Sequence, residues 1–274
     1  MPEGPEIRRA ADMLSKVLEG AVVERASFSQ APLRHCGKRF SGMRVLEVET
    51  RGKAMLTHFE HGWTIYSHNQ LYGIWMVGKR GEVPSTNRQL RLKLSTASHD
   101  ALLYSASDIS VWPTQSLAEH PFLARIGPDI LDKRLHWRMV AERLIDPRFV
   151  GRQLGSLYLE QAFIAGLGNY LRAEILFDAG VHPLSRPADL SRGQLGKLAR
   201  STLVLSWRSY ETGGITNPPA RVRELQSAGA TGGRLRFAVF SRQGEPCYRC
   251  GEAIVRMECN TRRLYLCPGC QSTP

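Results

Sequence analysis

Two Cys-X-X-Cys pairs near the C-terminus constrain this chain more than any other feature of its sequence. Cys247 pairs with Cys250 and Cys267 with Cys270, and 16 residues separate the two pairs. Four thiolates at this spacing can surround one Zn²⁺ tetrahedrally and leave no position for water. The sequence therefore predicts one structural zinc ion. Two redox-active cysteine pairs are the alternative, although nothing else in the chain is thioredoxin-like. Cys259 lies alone between the pairs, and we expect it to fill space.

The segment between the two cysteine pairs is predicted to form a β-hairpin. Its sequence is IVRMECNTRRLYLC, with the turn expected near Asn260 and Thr261. Arg262 and Arg263 then lie at or beside the tip. Arginines on a hairpin stiffened by zinc are suited to entering a nucleic-acid groove. Arginines exposed to solvent on an ordinary turn are the alternative, and the hairpin pattern leaves both possibilities open.

The N-terminal half of the chain is predicted to contain one helix followed by a β-rich region. Ile7, Leu14 and Leu18 recur at helical spacing, and Gly20 is suited to end that helix. Between about residues 21 and 112, short β-type runs are bounded by Gly, Asn, Asp or Ser, as in an antiparallel sandwich or barrel. The runs are AVVERASF, RVLEVET, AMLTHF, WTIYSH, IWMVG, LRLKLST and ALLYSAS.

The pattern changes from β to helical after Gly127–Asp129, within the segment ARIGPDILDKR. From about residue 135 to 210 the apolar residues recur at helical spacing. The clearest helical stretches are MVAERLI, LEQAFIAGL, NYLRAEILFDAG and LGKLARSTLVLSW. Residues 212–235 are rich in Gly, Thr, Pro and Arg with little periodicity, so we expect a mobile loop there.

These patterns predict an α+β protein of several domains. We expect an N-terminal antiparallel β-sandwich with flanking helices over residues 1–124 and a hinge over 125–134. A helical domain over 135–236 and a C-terminal zinc-finger β-hairpin over 237–274 follow. The segment boundaries rest on the change of periodicity and on the breaking residues between the patterns.

The charge balance of the chain favours a polyanionic partner. Its 37 Lys and Arg residues against 25 Asp and Glu residues give a net charge of +12 and a pI of about 9.8. Nucleic-acid phosphates release counterions when cations neutralise them, which makes such a surplus useful for binding; a solvated basic surface is the alternative.

No run reaches the roughly 18 apolar residues of a membrane span, and the first residues lack a secretory signal. We therefore expect a cytoplasmic protein, and we expect a monomer because the sequence has no dimer signature.

The N-terminal residues Pro2 and Glu3 could carry amine chemistry. Proline is small enough at position 2 that removal of Met1 is expected, which exposes a secondary amine. An α-amine titrates near about 7.7–8.0 against about 10.4 for lysine, so part of it is neutral at physiological pH. Attack on a sugar C1′ would give an iminium that acidifies the C2′ proton, and Glu3 could donate a proton. If these N-terminal residues are considered without the rest of the sequence, a frayed terminus without catalytic function is the alternative.

Three unrelated motifs of this chain occur together: MPEGPEI at the start, Gly166–Tyr170 (GLGNY) in the helical part and the terminal cysteine hairpin. In this combination the chain closely resembles the formamidopyrimidine-DNA glycosylase/endonuclease VIII family over essentially its whole length. SHNQLYGIW and LLYSASDI resemble the endonuclease VIII branch. The resemblance implies a helix–two-turn–helix domain and a bifunctional DNA glycosylase/AP lyase of base excision repair, acting on oxidised pyrimidines by β,δ-elimination.

The resemblance also implies catalytic roles at five positions. Pro2 would be the Schiff-base nucleophile and Glu3 the proton donor, with Glu6 supporting the same site. Lys53, in TRGKAML, matches the lysine that contacts phosphate and assists β-elimination; without the match it would be a surface residue between strands. Arg262, five residues before the third metal-site cysteine, matches the hairpin arginine of phosphate binding and δ-elimination.

Five further residues are implied in DNA binding. Gln70, Leu71 and Tyr72 match the loop that fills the gap left by a flipped nucleotide, where inserted side chains offset lost stacking. Arg125 matches a DNA contact at the hinge between domains. Asn169 would cap the second helix of the helix–two-turn–helix motif and bind phosphate there.

The partner implied is double-stranded DNA with damaged bases or abasic sites, which would associate the protein with the nucleoid. One departure from the family pattern is Glu160, followed by Gln161, where Asp-Gln is usual. The longer side chain puts the hydrogen bonding under the motif in question, without abolishing activity. The same chemistry on oxidised purines is a close alternative, and a non-catalytic zinc-finger DNA-binding protein is a second one.

Overall fold

The computed structural model describes residues 2–272 of the chain. Met1, Thr273 and Pro274 lie outside the described residues, and so does the predicted removal of Met1. Within this range no helix is both long and apolar enough to cross a bilayer.

The chain divides into two compact units, each with a core of its own. The first unit comprises Pro2 and Glu6–Arg125, and the second comprises Glu3–Pro5 and the described residues from Ile126 onward. The four-part division into domains stays a prediction.

The first unit contains two antiparallel sheets that share one apolar core with the first helix. Its elements are α1 Gly4–Leu18, of which Gly4 and Pro5 belong to the second unit, β1 Val22–Val23, β2 Arg25–Phe28, α2 Gly37–Phe40, β3 Met43–Arg51, β4 Ala54–Phe59, β5 Trp63–His68, β6 Ile74–Lys79, β7 Leu90–Ser95, β8 His99–Tyr104 and β9 Asp108–Pro113. One sheet has the order β1-β3-β4-β5-β9 and the other β2-β7-β8-β6. Because residues of both sheets line the same core, this unit is a β-sandwich, as predicted.

Helix α1 forms where the sequence predicts it and buries its apolar face in that core. Ile7, Leu14 and Leu18 are at most 1% exposed. Gly20 adopts a left-handed φ of 75°, a conformation that favours glycine and terminates the helix.

Two details of the β-region differ from the prediction. The run AVVERASF forms two strands, β1 and β2, which belong to different sheets. The sequence pattern does not predict strand β9, because DISVWP has no long apolar run, and the structure shows this strand mostly half-buried. It pairs with β5 and completes one edge of the five-stranded sheet. On the face of that sheet away from the main core, Tyr66 and Trp112 belong to a second, small apolar cluster.

The second unit consists of a helical core and the cysteine-bearing hairpin. Its elements are α3 Trp137–Ile145, α4 Leu154–Leu157, α5 Asn169–Ala179, α6 Arg192–Thr212, α7 Pro219–Ser227, β10 Val255–Cys259 and β11 Arg262–Leu266. Asn260 and Thr261 both have a left-handed φ, 51° and 59°, as in a type I′ two-residue turn. The predicted hairpin and the predicted α+β fold class are therefore confirmed.

The helix predicted over residues 159–167 (LEQAFIAGL) is wrong. These residues form turns, and their polar groups bond outside a helical ladder: Arg143 donates to the carbonyls of Ala162 and Phe163, both at 2.7 Å. The Gln161 side chain closes the segment by accepting from the Gly166 N–H at 3.0 Å. Because these carbonyls already have side-chain donors, the apolar spacing there does not require a helix.

The mobile loop predicted over residues 212–235 is also wrong. The segment contains α7, which begins after Pro218 with a second proline, Pro219, in its first turn. A proline at that position is preorganised for the helix and has no N–H to leave unpaired. From α7, Arg221 donates to the Tyr248 carbonyl at 3.0 Å, a contact between residues distant in sequence that periodicity does not reveal.

Candidate functional site

The carboxylate of Glu3 lies at the N-terminus of α5, within the second unit. Its Oε1 accepts from the Tyr170 N–H at 2.8 Å and its Oε2 from the Leu171 N–H at 3.3 Å. Glu3 is only 2% exposed. The N–H groups of a helix's first turn have no partner within the helix, and together with the positive end of the helix dipole they stabilise a negative charge there. The prediction that Asn169 caps α5 is therefore wrong: Asn169 is the first helical residue, and Glu3 satisfies the N–H groups that follow.

The glycines of the GLGNY motif are required by the position of Glu3. A Cβ on Gly168 would lie 2.4 Å from the Glu3 Cδ, so a side chain at 168 would displace the carboxylate. Gly166 adopts a φ of 100°, in the region that favours glycine. Its carbonyl accepts from the Gly4 N–H at 2.8 Å. The motif thus serves as a receptor for the N-terminal segment.

Asn169 connects the start of α5 to the hairpin. Its Nδ2 donates to the Arg263 carbonyl at 2.9 Å, and its Oδ1 accepts from Arg172 at 2.5 Å. Arg172 is fully buried, and burial lowers the pKa of its guanidinium to about 10. The side chains of Arg262 and Arg263 are both exposed, so the hairpin presents two cations beside Asn169.

The four cysteines predicted to bind metal lie together. Their sulfur atoms are all within 4.8 Å of one another, with 3.9 Å between Cys247 and Cys270 and 3.3 Å between Cys250 and Cys267. Four sulfurs at these separations fit the tetrahedral Cys₄ set of a structural zinc site. The Sγ of Cys259 lies outside this set, 3.4 Å from the Ser156 Oγ.

Lys53 and two titratable residues lie at one end of the five-stranded sheet, within the first unit. Lys53 is in the turn between β3 and β4 and is 8% exposed, so it is not a surface residue. The register pairs Ala54 with His68, and His68 with Asp108. Burial lowers the pKa of His68; Lys53 lowers it further, and Asp108 opposes the shift.

Gln70, Leu71 and Tyr72 lie together in the tight loop from Asn69 to Gly73 between β5 and β6, which we call the β5–β6 loop. The side chains of Leu71 and Tyr72 are exposed, at 48% and 67%. A Cβ on Gly73 would lie 2.5 Å from the Asn69 carbonyl oxygen, so the closure of the loop requires glycine there. The loop therefore presents two large apolar side chains to solvent.

The other three residues of the predicted site are Pro2, Glu6 and Arg125. Pro2 is half-buried directly before Glu3, and Glu6 is half-buried in the first turn of α1. Arg125 is exposed at the end of the first unit, where its Nε donates to the Pro121 carbonyl at 2.7 Å. Nothing else in the predicted set is grouped with Arg125.

Comparison with known proteins decides the family. The model of the formamidopyrimidine-DNA glycosylase N-terminal domain matches residues 1–107, and that of the formamidopyrimidine-DNA glycosylase H2TH domain matches residues 126–217. The chain is 49% identical to Endonuclease 8 of Escherichia coli O17:K52:H18 over 271 residues, which cover 99% of this chain and 100% of the relative. Endonuclease 8 of Shigella sonnei is similar to the same extent. The chain belongs to the formamidopyrimidine-DNA glycosylase/endonuclease 8 family.

Solved structures of the same family share the fold. The Lactococcus lactis Fpg (MutM) in complex with an oxidised-pyrimidine-containing DNA aligns with a TM-score of 0.81 at 20% identity, covering 99% of this chain and 100% of that one. The same protein bound non-covalently to DNA with an AP site gives 0.81 at 19% identity. Members of this glycosylase family have AP-lyase activity, and the chain belongs to this enzyme class.

Glu160, the departure from the glycosylase family pattern, does not carry the hydrogen bonds under the motif. Its carboxylate forms an ion pair with Arg152 at 3.1 Å. Gln161 makes the bonds to the motif instead, since its amide nitrogen donates to the Leu167 carbonyl at 3.0 Å and its amide oxygen accepts from Gly166. The longer side chain at 160 is thus accommodated at the periphery.

Glu174 of this glycosylase has a structural role that no sequence motif marks. Its carboxylate, 1% exposed, accepts from the N–H groups of Ala238, Val239 and Phe240 at 2.8, 2.9 and 2.8 Å, and from the Thr216 hydroxyl at 2.7 Å. A glutamate at a buried position of a helix is the only sequence signal for such a role. Through these bonds Glu174 connects α5 to residues 238–240. These residues precede the C-terminal segment with the four metal-site cysteines, which we call the cysteine module.

Proposed function

We propose that this glycosylase removes oxidised pyrimidines from double-stranded DNA and cuts the strand by β,δ-elimination through a Schiff base at Pro2. The observation that carries the proposal is the buried Glu3 carboxylate, held at the start of α5 directly after Pro2. The 49% identity to proteins named Endonuclease 8 supports it over the full chain.

Pro2 acts as the nucleophile once Met1 has been removed. Its secondary amine attacks C1′ of the damaged nucleotide, and the bond from C1′ to the base breaks as the base leaves with a proton. The proline nitrogen then loses its proton to solvent, and its lone pair forms the C=N⁺ bond of an iminium with C1′ as the bond from C1′ to the ring oxygen breaks and that oxygen takes up a proton. That cation cannot be neutralised by losing a proton from nitrogen, so it acidifies the C2′ proton and drives elimination of the 3′ phosphate.

Glu3 and Lys53 move protons in this scheme. Glu3 stands one peptide bond from the nucleophile, and its attachment to the Tyr170 and Leu171 N–H groups fixes its direction. It exchanges a proton with the sugar oxygen as the ring opens. Glu6 supports the same site. Lys53, which is 8% exposed, contacts a phosphate and assists β-elimination.

Arg262 and Asn169 bind the phosphates that flank the lesion. Arg262 stabilises the phosphate that leaves in the second, δ-elimination, since a guanidinium binds phosphate oxygens in pairs. One Zn²⁺ held by the four clustered cysteines would supply structural stiffness to the hairpin and no catalytic step. Arg125 adds a phosphate contact.

The β5–β6 loop fills the gap in the duplex. Leu71 and Tyr72 are exposed before DNA arrives, and insertion of such side chains offsets the stacking lost when a nucleotide is flipped. The loop sequence NQLYG resembles the endonuclease VIII branch, which supports the preference for pyrimidines.

Borohydride trapping tests the mechanism. The duplex carries one thymine glycol or abasic site, and mass spectrometry first confirms that Met1 is absent from the protein. We expect a covalent adduct, because borohydride reduces the iminium to a stable amine. The matched control is the same chain with an uncleaved N-terminal extension, which turns the Pro2 nitrogen into an amide and gives no adduct. Absence of an adduct with the processed, zinc-loaded protein would mean a DNA-binding scaffold without lyase chemistry.

Competing release of two bases tests the substrate class. We expect thymine glycol to be released faster than 8-oxoguanine from otherwise identical duplexes. Faster release of 8-oxoguanine would replace the pyrimidine preference by the purine alternative and leave the Schiff-base mechanism untouched.

A further inference from the structure

We propose that His68 is a positioning residue that orders the β5–β6 loop before DNA binds, and that the loop loses this order when His68 is protonated. The inference rests on the proposed function of the loop as the gap-filling element. It extends that function by naming a titratable side chain outside the loop that supports the loop conformation.

The contact between His68 and the loop is direct. The Nδ1 of His68 accepts from the Gln70 N–H at 3.0 Å. Gln70 itself has a left-handed φ of 52°, which is costly for a residue with a Cβ and needs external support. On the other side of Gln70, the Ser107 hydroxyl donates to its Oε1 at 2.6 Å. Backbone and side chain of Gln70 are thus each held by a residue outside the loop.

An acceptor at Nδ1 requires the imidazole to be neutral, with its proton on Nε2. Protonation would turn Nδ1 into a donor that faces the Gln70 N–H, and the bond would be replaced by repulsion. The loop therefore has an ordered state that depends on the charge of one side chain. Leu71 and Tyr72 follow directly, so loss of the bond loosens the start of the segment that carries them, while Arg88 still donates to the Tyr72 carbonyl.

The surroundings of His68 favour the neutral ring. The imidazole is half-buried beneath the edge of the Phe122 ring, with 5.7 Å between the ring centroids. The charged groups that face it are Lys53 from the β3–β4 turn and Asp108 from β9. Burial and Lys53 lower the pKa of His68 and Asp108 raises it, with the net direction downward from 6.5. The ordered state is accordingly kept at and above neutral pH and is lost as the pH falls.

Two substitutions at position 68 distinguish the hydrogen-bond acceptor of this side chain from its ability to become charged. His68→Asn keeps an acceptor, because an asparagine oxygen bonds the N–H two residues on, but it does not titrate. His68→Leu removes the acceptor. The readout is hydrogen exchange of the Gln70 amide in the DNA-free, full-length, zinc-loaded protein, corrected for intrinsic exchange at each pH. This readout contains no contribution from any contact of His68 with DNA.

At pH 7.5 we expect His68→Leu to lower the protection of the Gln70 amide roughly tenfold, the equivalent of one net hydrogen bond. We expect His68→Asn to stay close to wild type. On acidification, protection should fall in the wild type and stay level in His68→Asn. His99→Asn, at the start of β8, serves as the control and should match the wild type throughout. Equal protection in the Leu and Asn variants, or a pH-independent wild type, would overturn the proposal.

A second readout separates this inference from the proposed function. In duplex DNA with an abasic analogue opposite 2-aminopurine, insertion of the loop changes the 2-aminopurine fluorescence. We expect the change in wild type and His68→Asn, and a reduced change in His68→Leu at saturating protein. If exchange follows the prediction while the wild type gives no fluorescence change, His68 still orders the loop, and the gap-filling role is what fails.

Discussion

Glu3 is bound by the backbone of a helix that lies more than 160 residues further along the chain. At the residue scale this arrangement makes the carboxylate that we propose as the proton donor sensitive to substitutions at residues outside the proposed catalytic set. Gly168 is the clearest case, because any side chain there would occupy the position of the Glu3 carboxyl group. Exposure and burial of single atoms therefore decide which substitutions are tolerated.

Gly168→Ala should displace Glu3 and lower base release by about a hundredfold, since a shift of about 1 Å in a catalytic group can cost that much. Overpacking should also lower the free energy of unfolding by about 1–3 kcal/mol. Single-turnover base release and thermal unfolding measure the two effects. Gly151→Ala is the matched control, because a Cβ at Gly151 meets nothing within 4 Å. Equal behaviour of both variants would contradict the role assigned to Gly168.

Arg262→Ala should slow δ-elimination roughly ten- to hundredfold, the cost of a lost charge-assisted hydrogen bond. Arg263→Ala should have a smaller effect, because Arg263 anchors the hairpin through its carbonyl, which alanine retains. The ratio of β- to δ-elimination products on an abasic duplex measures both. The reverse order would assign the phosphate contact to Arg263.

Helix α5 organises the second unit at the scale of secondary-structure elements. Its N-terminus receives Glu3, its first turn binds the hairpin through Asn169 and Arg172, and its middle holds the segment before the cysteine module through Glu174. Near its end, the carbonyl of Phe177 accepts from Arg249 at 2.9 Å. Asn169 and Arg172 thus attach the hairpin to α5 through the Arg263 carbonyl, and Glu174 and Phe177 attach the chain that precedes the hairpin.

Cys267→Ser should abolish zinc binding and weaken affinity for abasic-site DNA at least about tenfold, as loss of support around a metal site usually does. Zinc content and fluorescence anisotropy measure these effects. Hydrogen exchange should show that the β-sandwich keeps its protection. Cys259→Ser is the matched control and should retain zinc, because its sulfur lies outside the cluster. Unchanged zinc content in Cys267→Ser would exclude the Cys₄ site.

At the scale of the whole molecule, the net charge of +12 is the property that bears on DNA binding. Each phosphate that a cation neutralises adds to the dependence of affinity on salt, whatever the sequence of the DNA. The two units have separate cores, so a substitution in one core need not unfold the other.

Arg125→Gln should lower the slope of log affinity against log salt concentration by about one, as expected for the loss of one phosphate contact. Titrations of an abasic-analogue duplex at several salt concentrations measure the slope. Arg134→Gln is the control: this arginine is also exposed, but it already forms an ion pair with Asp132 at 2.9 Å. A slope for Arg125→Gln equal to that of wild type would remove Arg125 from the DNA-binding surface.

Several features of this protein are determined by the sequence itself, because they depend on interactions between residues that are close along the chain. Helix α1, the hairpin with its turn at Asn260 and Thr261, the four-cysteine set and the change from β to helical structure all depend on residues close in sequence. Spacing, turn residues and periodicity report such local preferences directly. The family resemblance further brought Lys53 and the β5–β6 loop into the predicted site, although neither has a pattern of its own.

Contacts between residues distant in sequence were decided by the tertiary structure alone. Glu3, rather than Asn169, satisfies the start of α5, because the N-terminal segment returns to a helix that the sequence pattern treats as independent. In the turns over residues 159–167, the carbonyls of Ala162 and Phe163 accept hydrogen bonds from the distant Arg143 and not from a helical N–H. The partners of Glu174, at residues 238–240, and the charged neighbours of His68, Lys53 and Asp108, are likewise distant in sequence. A buried polar group must find a partner, but the sequence alone does not show which distant residue supplies it.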